Sequence, residues 1–157
     1  MMNRKQVKDS LTEQVYIVRP QHANCYERLF GGMLMQWMDE MAGVVSRRHS
    51  GQEIVTAAVD NLNFKEAARI GDMVVLVGKV THVGHTSMEI RVDVYIEKSS
   101  GLRRSINRAY FVMVAVNAKG EPMRVPELEI RTESEKAEWQ GGEKRYDLRR
   151  LRRVEGY

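Results

Sequence analysis

The chain has 157 residues, a net charge of +4 and an apolar share of 43%, which fits one domain with a proper core. No apolar run approaches the ~18 residues of a membrane span, and residues 1–14 lack the apolar stretch of a secretory signal. The single cysteine, Cys25, excludes an intrachain disulfide and fits a reducing cytoplasm. A basic balance would suit an anionic ligand, although much of the arginine clusters near the C-terminus.

Residues 11–19 alternate loosely around Val15, Ile17 and Val18 and predict a first strand that stops at Pro20. A loop over 21–30 leads to Gly31-Gly32. One helix then runs from residue 31 or 33 to about 49, with apolar residues on more than one stripe, so it is expected to be wrapped on several sides. Ser50-Gly51 ends it. Strands follow over 54–64, 73–83, 87–97 and 105–116, separated by turns at Gly71-Asp72, Gly84-His85 and Ser99-Ser100-Gly101. In the third of these, Met88, Ile90, Val92, Val94 and Ile96 point inward and Glu89, Arg91, Asp93 and Tyr95 point the other way. The layout is α+β: a curved antiparallel sheet around one long central helix, in a domain of residues 1–126. Residues 127–157 read as a polar tail, helical over 133–140 and 143–154 and interrupted at Gly141-Gly142. The arginines at 149, 150, 152 and 153 could meet phosphates or an acidic partner, but such a run more often reads as a solvated face.

Chemistry concentrates around the helix. Asp39 and Glu40 sit between Met38 and Met41, and an acid buried among apolar residues needs a partner or a function. The glycine-led helix start leaves N–H groups free to hold a developing negative charge, which makes Gly31, Gly32 and Met33 candidate oxyanion donors. The plainer alternatives are an Asp39 exposed or paired with Arg47 or Arg48, and glycines that only make a turn. Asn24 lies too far ahead of the helix to cap it. Gly84-His85-Thr86-Ser87 offers small residues, hydroxyls and a possible cation at a strand turn. His22, His49, His82 and His85 lack metal-ligand spacing. Cys25 has no visible base to activate it, and no phosphate loop or dinucleotide fingerprint occurs.

Taken in order, Asn24, Phe30-Gly31-Gly32, the helix to Gly43, residues 54–60, Phe64, Ile70-Gly71-Asp72, Val83 to Glu89 and residues 111–116 resemble the hotdog-fold acyl-CoA thioesterases. The nearest branch is the bacterial acyl-CoA hydrolases related to brain acyl-CoA hydrolase. The resemblance spans residues 12–126; it departs at Glu27, where the family usually has glycine, and at Ala67, where it commonly has proline. It implies a cytoplasmic thioester hydrolase with Asp39 as general base or nucleophile and Asn24 supplied by the partner subunit. Thr56, Gly84, His85, Thr86 and Ser87 would bind coenzyme A, which is substrate and product, with no other cofactor and no metal. A dimer within a hexamer is the implied assembly, without nucleic acid or membrane insertion. The rival readings are a noncatalytic acyl-CoA sensor and an acyl-CoA or acyl-ACP dehydratase; the latter would need a helix histidine that neither His22 nor His49 supplies.

Overall fold

A computed structural model describes residues 3–60 and 62–157. Met1 and Met2 in the N-terminal reading and Asn61 in the strand predicted over 54–64 lie outside the described residues.

A five-stranded antiparallel sheet is ordered β2-β4-β5-β6-β3. Its members are β2 (Thr12–Ile17), β3 (Glu53–Asp60), β4 (Met73–Val83), β5 (Ser87–Glu97) and β6 (Arg103–Val116). Helix α2 (Gly31–Ser50) lies against one face and ends at Gly51, whose left-handed backbone (φ 69°) returns its N–H to the Arg47 carbonyl. Helix and sheet lie in close contact at Gly78. A Cβ there would stand 2.8 Å from Met41 Cγ and 2.9 Å from Val45 Cγ2, so the bare backbone sets the spacing of the two layers.

Only one face of α2 is buried. Leu34, Trp37, Met38, Met41, Ala42, Val45 and His49 form it, while Met35, Asp39, Glu40 and Val44 are exposed. The expected wrapping on several sides does not occur within the chain. The exposed side instead runs beside β3, an edge strand that also shows Val55 and Val59 to solvent.

Short elements absent from the sequence reading complete the fold: β1 (Arg4–Gln6), α1 (Val7–Ser10) and β7 (Glu127–Glu129). β1 and β7 pair in parallel, Arg4 opposite Glu127. His49 Nε2 lies 2.9 Å from the Pro126 carbonyl; since a carbonyl only accepts, Nε2 carries the hydrogen there.

Helix α3 (Glu133–Glu155) is continuous through Gly141-Gly142, where an interruption was expected. Thr132 caps it by accepting from Glu135 N at 3.1 Å. The glycines do not break the helix because tertiary packing uses them: Gly142 is buried against β4, 2.6 Å from His82 Cβ if a Cβ were present. From there α3 crosses the back of the sheet. Trp139 lies tilted against His82 of β4, Arg145 reaches Glu89 of β5 and covers the Tyr110 ring of β6, and Arg149 and Arg152 bond Asp60 at the end of β3. The charged side of β5 therefore faces a helix. Glu89 and Asp93 are 2% and 5% exposed, each held by arginines, with Glu138 of α3 meeting Arg91. Arg149 and Arg152 likewise belong to this network, so that part of the arginine run is an internal contact.

Candidate active site

The start of α2 has no side-chain cap. Phe30 occupies the capping position, and its carbonyl takes the first helical bond, from Leu34 N at 3.1 Å. The N–H groups of Gly31, Gly32 and Met33 therefore have no partner within the helix. A Cβ on Gly32 would meet the Phe30 ring at 2.5 Å, and one on Gly31 would meet Phe64 at 3.4 Å. Two aromatic rings thus lie against a bare backbone turn rich in unpaired donors.

Asn24 is built into the loop at the same end. Its Oδ1 accepts from Tyr26 N at 2.9 Å and Arg28 N at 3.2 Å, and Glu27 N donates to its carbonyl at 3.1 Å. The amide oxygen is occupied by the loop, so the amide nitrogen is the group left to donate outward. Closing this turn puts Glu27 at φ 58°, in the left-handed region where glycine is at ease. The departure from the family glycine thus falls where the backbone most favours glycine.

Asp39 lies on the exposed face of α2, not among the buried methionines. Neighbouring positions on a helix point 100° apart, so Met38 faces the sheet while Asp39 faces out. Its Oδ1 accepts the Thr56 hydroxyl at 2.6 Å. Thr56 was expected to contact coenzyme A; the structure places it beside the acid, at a bulge where β3 slips against β6 between Thr56 and Ala58. Glu40 accepts from Gln36 Nε2 at 3.1 Å on its own helix, and Arg48 binds the Thr12 hydroxyl at 3.0 Å. His22 sits edge-on to Trp37, which stacks on Tyr16 at 4.3 Å. Neither His22 nor His49 hydrogen-bonds to Asp39 or Glu40.

Asp39 stands eight positions after Gly31, about 12 Å along a helix axis. One small polar group cannot touch both. The chain thus keeps two groups of polar residues apart: Asn24 with the helix start, and Asp39 with Thr56.

Beyond Thr56, a groove of about 650 Å³ runs along Ala57 to Asp60, past Thr86 and Ser87, with Arg149, Arg152 and Arg153 in its wall. Gly84 and His85 border a different groove of about 960 Å³ with Trp139 and Tyr146. The turn itself is braced by Ala115 N donating to Thr86 O and Val125 N donating to His85 O, both 3.0 Å. Sequence reasoning noted the arginine cluster but preferred a solvated face, whereas Arg149, Arg152 and Arg153 stand in this groove's wall. Among the described residues no group of three or more His, Cys, Asp or Glu is gathered to hold a metal, and no helix is long and apolar enough to cross a membrane.

Comparison with known proteins agrees with this architecture. The thioesterase superfamily model matches residues 26–102. The mouse (Mus musculus) cytosolic acyl coenzyme A thioester hydrolase is 36% identical over 144 residues; the match covers 89% of this chain but only 38% of that protein. The uncharacterized acyl-CoA thioester hydrolase YkhA of Bacillus subtilis is 35% identical, over 82% of this chain and 75% of its own. An apo-hexameric acyl-CoA thioesterase superposes with a TM-score of 0.91 at 35% identity, covering 96% of this chain and 97% of that one. The Staphylococcus aureus acyl-CoA hydrolase, solved with butyryl coenzyme A and coenzyme A, superposes with a TM-score of 0.91 at 29% identity, covering 98% and 94%. Its alanine variants replace an asparagine, an aspartate and a threonine spaced 15 and 17 positions apart, the spacing of Asn24, Asp39 and Thr56. With its hotdog arrangement of sheet and helix, the chain belongs to the thioesterase superfamily, on the branch of the acyl-CoA thioester hydrolases.

Proposed function

We propose that this protein hydrolyses acyl-CoA to a free carboxylic acid and coenzyme A, at two equivalent sites made between two copies. The observation that carries the reading is the 2.6 Å bond from Thr56 to Asp39 Oδ1 on an exposed helix face. It fixes the carboxylate and leaves Oδ2 for water or a substrate carbon. As general base Asp39 takes a proton from water as the water oxygen bonds the carbonyl carbon. As nucleophile it bonds that carbon itself, and water later cleaves the resulting anhydride. Either way the C–S bond breaks, and the thiolate leaves with a proton as the coenzyme A thiol.

The ~12 Å between half-sites is the reason for a second copy. A two-fold axis that brings the helices alongside one another would place Asn24 and the Gly31, Gly32 and Met33 N–H groups of one copy opposite Asp39 of the other. These donors would hold the thioester oxygen as it gains charge. The free edge of β3 and the exposed Met35, Val44, Val55 and Val59 give such a pair an apolar seam. Solved neighbours described as hexameric support assembly of these pairs into a hexamer.

Coenzyme A fits the groove beyond Thr56, its pantetheine passing Ala57 to Val59 and its phosphates meeting Thr86, Ser87 and the arginine wall. On this reading residues 1–126 carry the chemistry and α3 contributes the phosphate side. Gly84 and His85 shape the turn from behind. Together with a mouse relative named as cytosolic, the lone cysteine supports a cytoplasmic location.

Thiol release measured across acyl-CoAs of several chain lengths tests the reading. The protein should release coenzyme A, and mixing Asn24→Ala with Asp39→Ala protomers should recover activity that neither has alone. Tight acyl-CoA binding without thiol release would instead mark a sensor, and an enoyl product a dehydratase.

A further inference from the structure

The three arginines in the wall of the groove beyond Thr56 are not equivalent. Arg149 donates to Asp60 Oδ2 at 2.7 Å and stands 3.2 Å from Glu89 Oε2, with its side chain only 10% exposed. Arg152 reaches the other Asp60 oxygen at 3.4 Å. Asp60 is the only acid among the residues lining the groove, and these two already hold it. Arg153 is exposed and, among the described residues, has no hydrogen-bond or ion-pair partner. The wall therefore keeps one guanidinium whose charge nothing in the chain offsets.

The strand beneath fixes which part of a ligand this charge meets. Residues four apart on a regular strand face the same way. Thr56 nevertheless faces α2, where it bonds Asp39, and Asp60 faces α3, because the bulge between Thr56 and Ala58 reverses the alternation. The groove thus leads from the carboxylate to the arginines over at most ~13 Å of strand. In coenzyme A about thirteen covalent bonds separate the sulfur from the nearer phosphorus, a reach of ~15 Å when extended. With the thioester at Asp39, the diphosphate comes level with Asp60 and the arginines beside it.

We infer that Arg153 binds this diphosphate, and that it makes the enzyme discriminate against thioesters whose pantetheine arm ends without phosphate. Arg149 and Arg152 fasten α3 to β3, and donors spent on Asp60 are not free for a ligand. An unengaged guanidinium bonds phosphate oxygens in pairs, with charge on both partners. This inference rests on the acyl-CoA hydrolase reading and names the residue that recognises the carrier part of its substrate.

The test measures kcat and KM for butyryl and octanoyl thioesters of coenzyme A, of dephospho-coenzyme A, which keeps the diphosphate, and of pantetheine, which has no phosphate. Arg153→Ala should raise KM about tenfold for the two nucleotide thioesters, as for loss of a charge-assisted bond. It should keep kcat and leave the pantetheine thioesters unaffected. Arg150→Ala removes the same charge from the same helix, at a residue set over the Tyr146 ring at 5.9 Å, and should match the wild type throughout. Unchanged KM in folded Arg153→Ala, an equal loss with pantetheine thioesters, or an equal loss in Arg150→Ala overturns the inference while leaving the hydrolase standing. A loss confined to coenzyme A itself overturns it too, since Arg153 would then read the 3′-phosphate. No thiol release from any of these substrates by the wild type would overturn the hydrolase reading and this inference with it.

Discussion

Gly142 and His82 hold α3 and β4 closer than any side chain would allow: a Cβ on Gly142 would lie 2.6 Å from His82 Cβ and 3.2 Å from Glu89 Oε1. Gly141, one position earlier, would meet only the tip of Arg145, at 3.0 Å. Gly142→Ala should therefore destabilise the protein by about 1–3 kcal/mol, the usual cost of overpacking. At Gly141→Ala the strain on Arg145 is offset by the ~1 kcal/mol gain in helix propensity. Urea unfolding of the two variants checks the contrast, and equal midpoints would show that α3 is not seated by glycine.

Removing Arg145 should be costly. Its Nε and Nη2 donate to Glu89 at 3.0 and 2.8 Å, and its guanidinium covers Tyr110 at 3.6 Å. Arg145→Ala leaves Glu89 buried with Arg149 at 3.2 Å as its remaining ion-pair partner, a loss of about 3 kcal/mol. Hydrogen exchange along α3 should rise before that of α2. Unchanged protection of α3 would rule this out.

Acid should loosen the same helix. Burial pushes the Glu89 carboxyl upward, but hydrogen bonds from Arg145 and Thr81 outweigh it and hold the group below the usual carboxylate range. Burial likewise lowers His82 and His49 below the usual imidazole value. In all three cases the unfolded chain binds protons more readily than the folded one, so stability rises with pH. The histidine contribution is complete above about pH 6.5 and fades below it; that of Glu89 persists until acid reaches the carboxylate range. Unfolding midpoints measured from pH 8 to 4 should fall steadily. A midpoint that rises on acidification would contradict the burial of these groups.

Thr56→Val removes the hydroxyl on Asp39 while keeping the side-chain shape. If Thr56 orients the acid, kcat should fall about tenfold with KM little changed, and Thr56→Ser should restore most of it. A rise in KM alone would return Thr56 to coenzyme A binding.

Glu27→Gly relieves a left-handed backbone that costs a side chain about 1–2 kcal/mol, less the greater entropy glycine loses on folding. It should stabilise the Asn24 loop by about 0.5–1 kcal/mol relative to Glu27→Ala, which keeps the strain. Thermal midpoints of the two variants give the comparison; equality would mean the loop does not depend on residue 27.

The sheet and central helix were legible because their signals are local. Alternation over 87–97 gives β5 directly, and Ser50-Gly51 marks the end of α2. What the sequence hid is set by distant partners. The outward side of β5 reads as solvated until α3, about 50 residues on, covers Glu89. Gly141-Gly142 has the composition of a break, and only the presence of His82 explains it as a contact. β1 and β7 are three residues each and gain meaning by pairing across 123 positions. Asp39 stands in an apolar run, yet helical geometry turns it away from its sequence neighbours.

With α3 laid across β4, β5 and β6 to the end of β3, the rear of the sheet is roofed over by its own chain. Stacking of two bare sheets back to back, a common way for curved sheets to meet, is closed to it. The open strand rim and the outward flank of the rod stay uncovered. A single C-terminal strap thereby restricts the symmetry of any larger particle the protein can build.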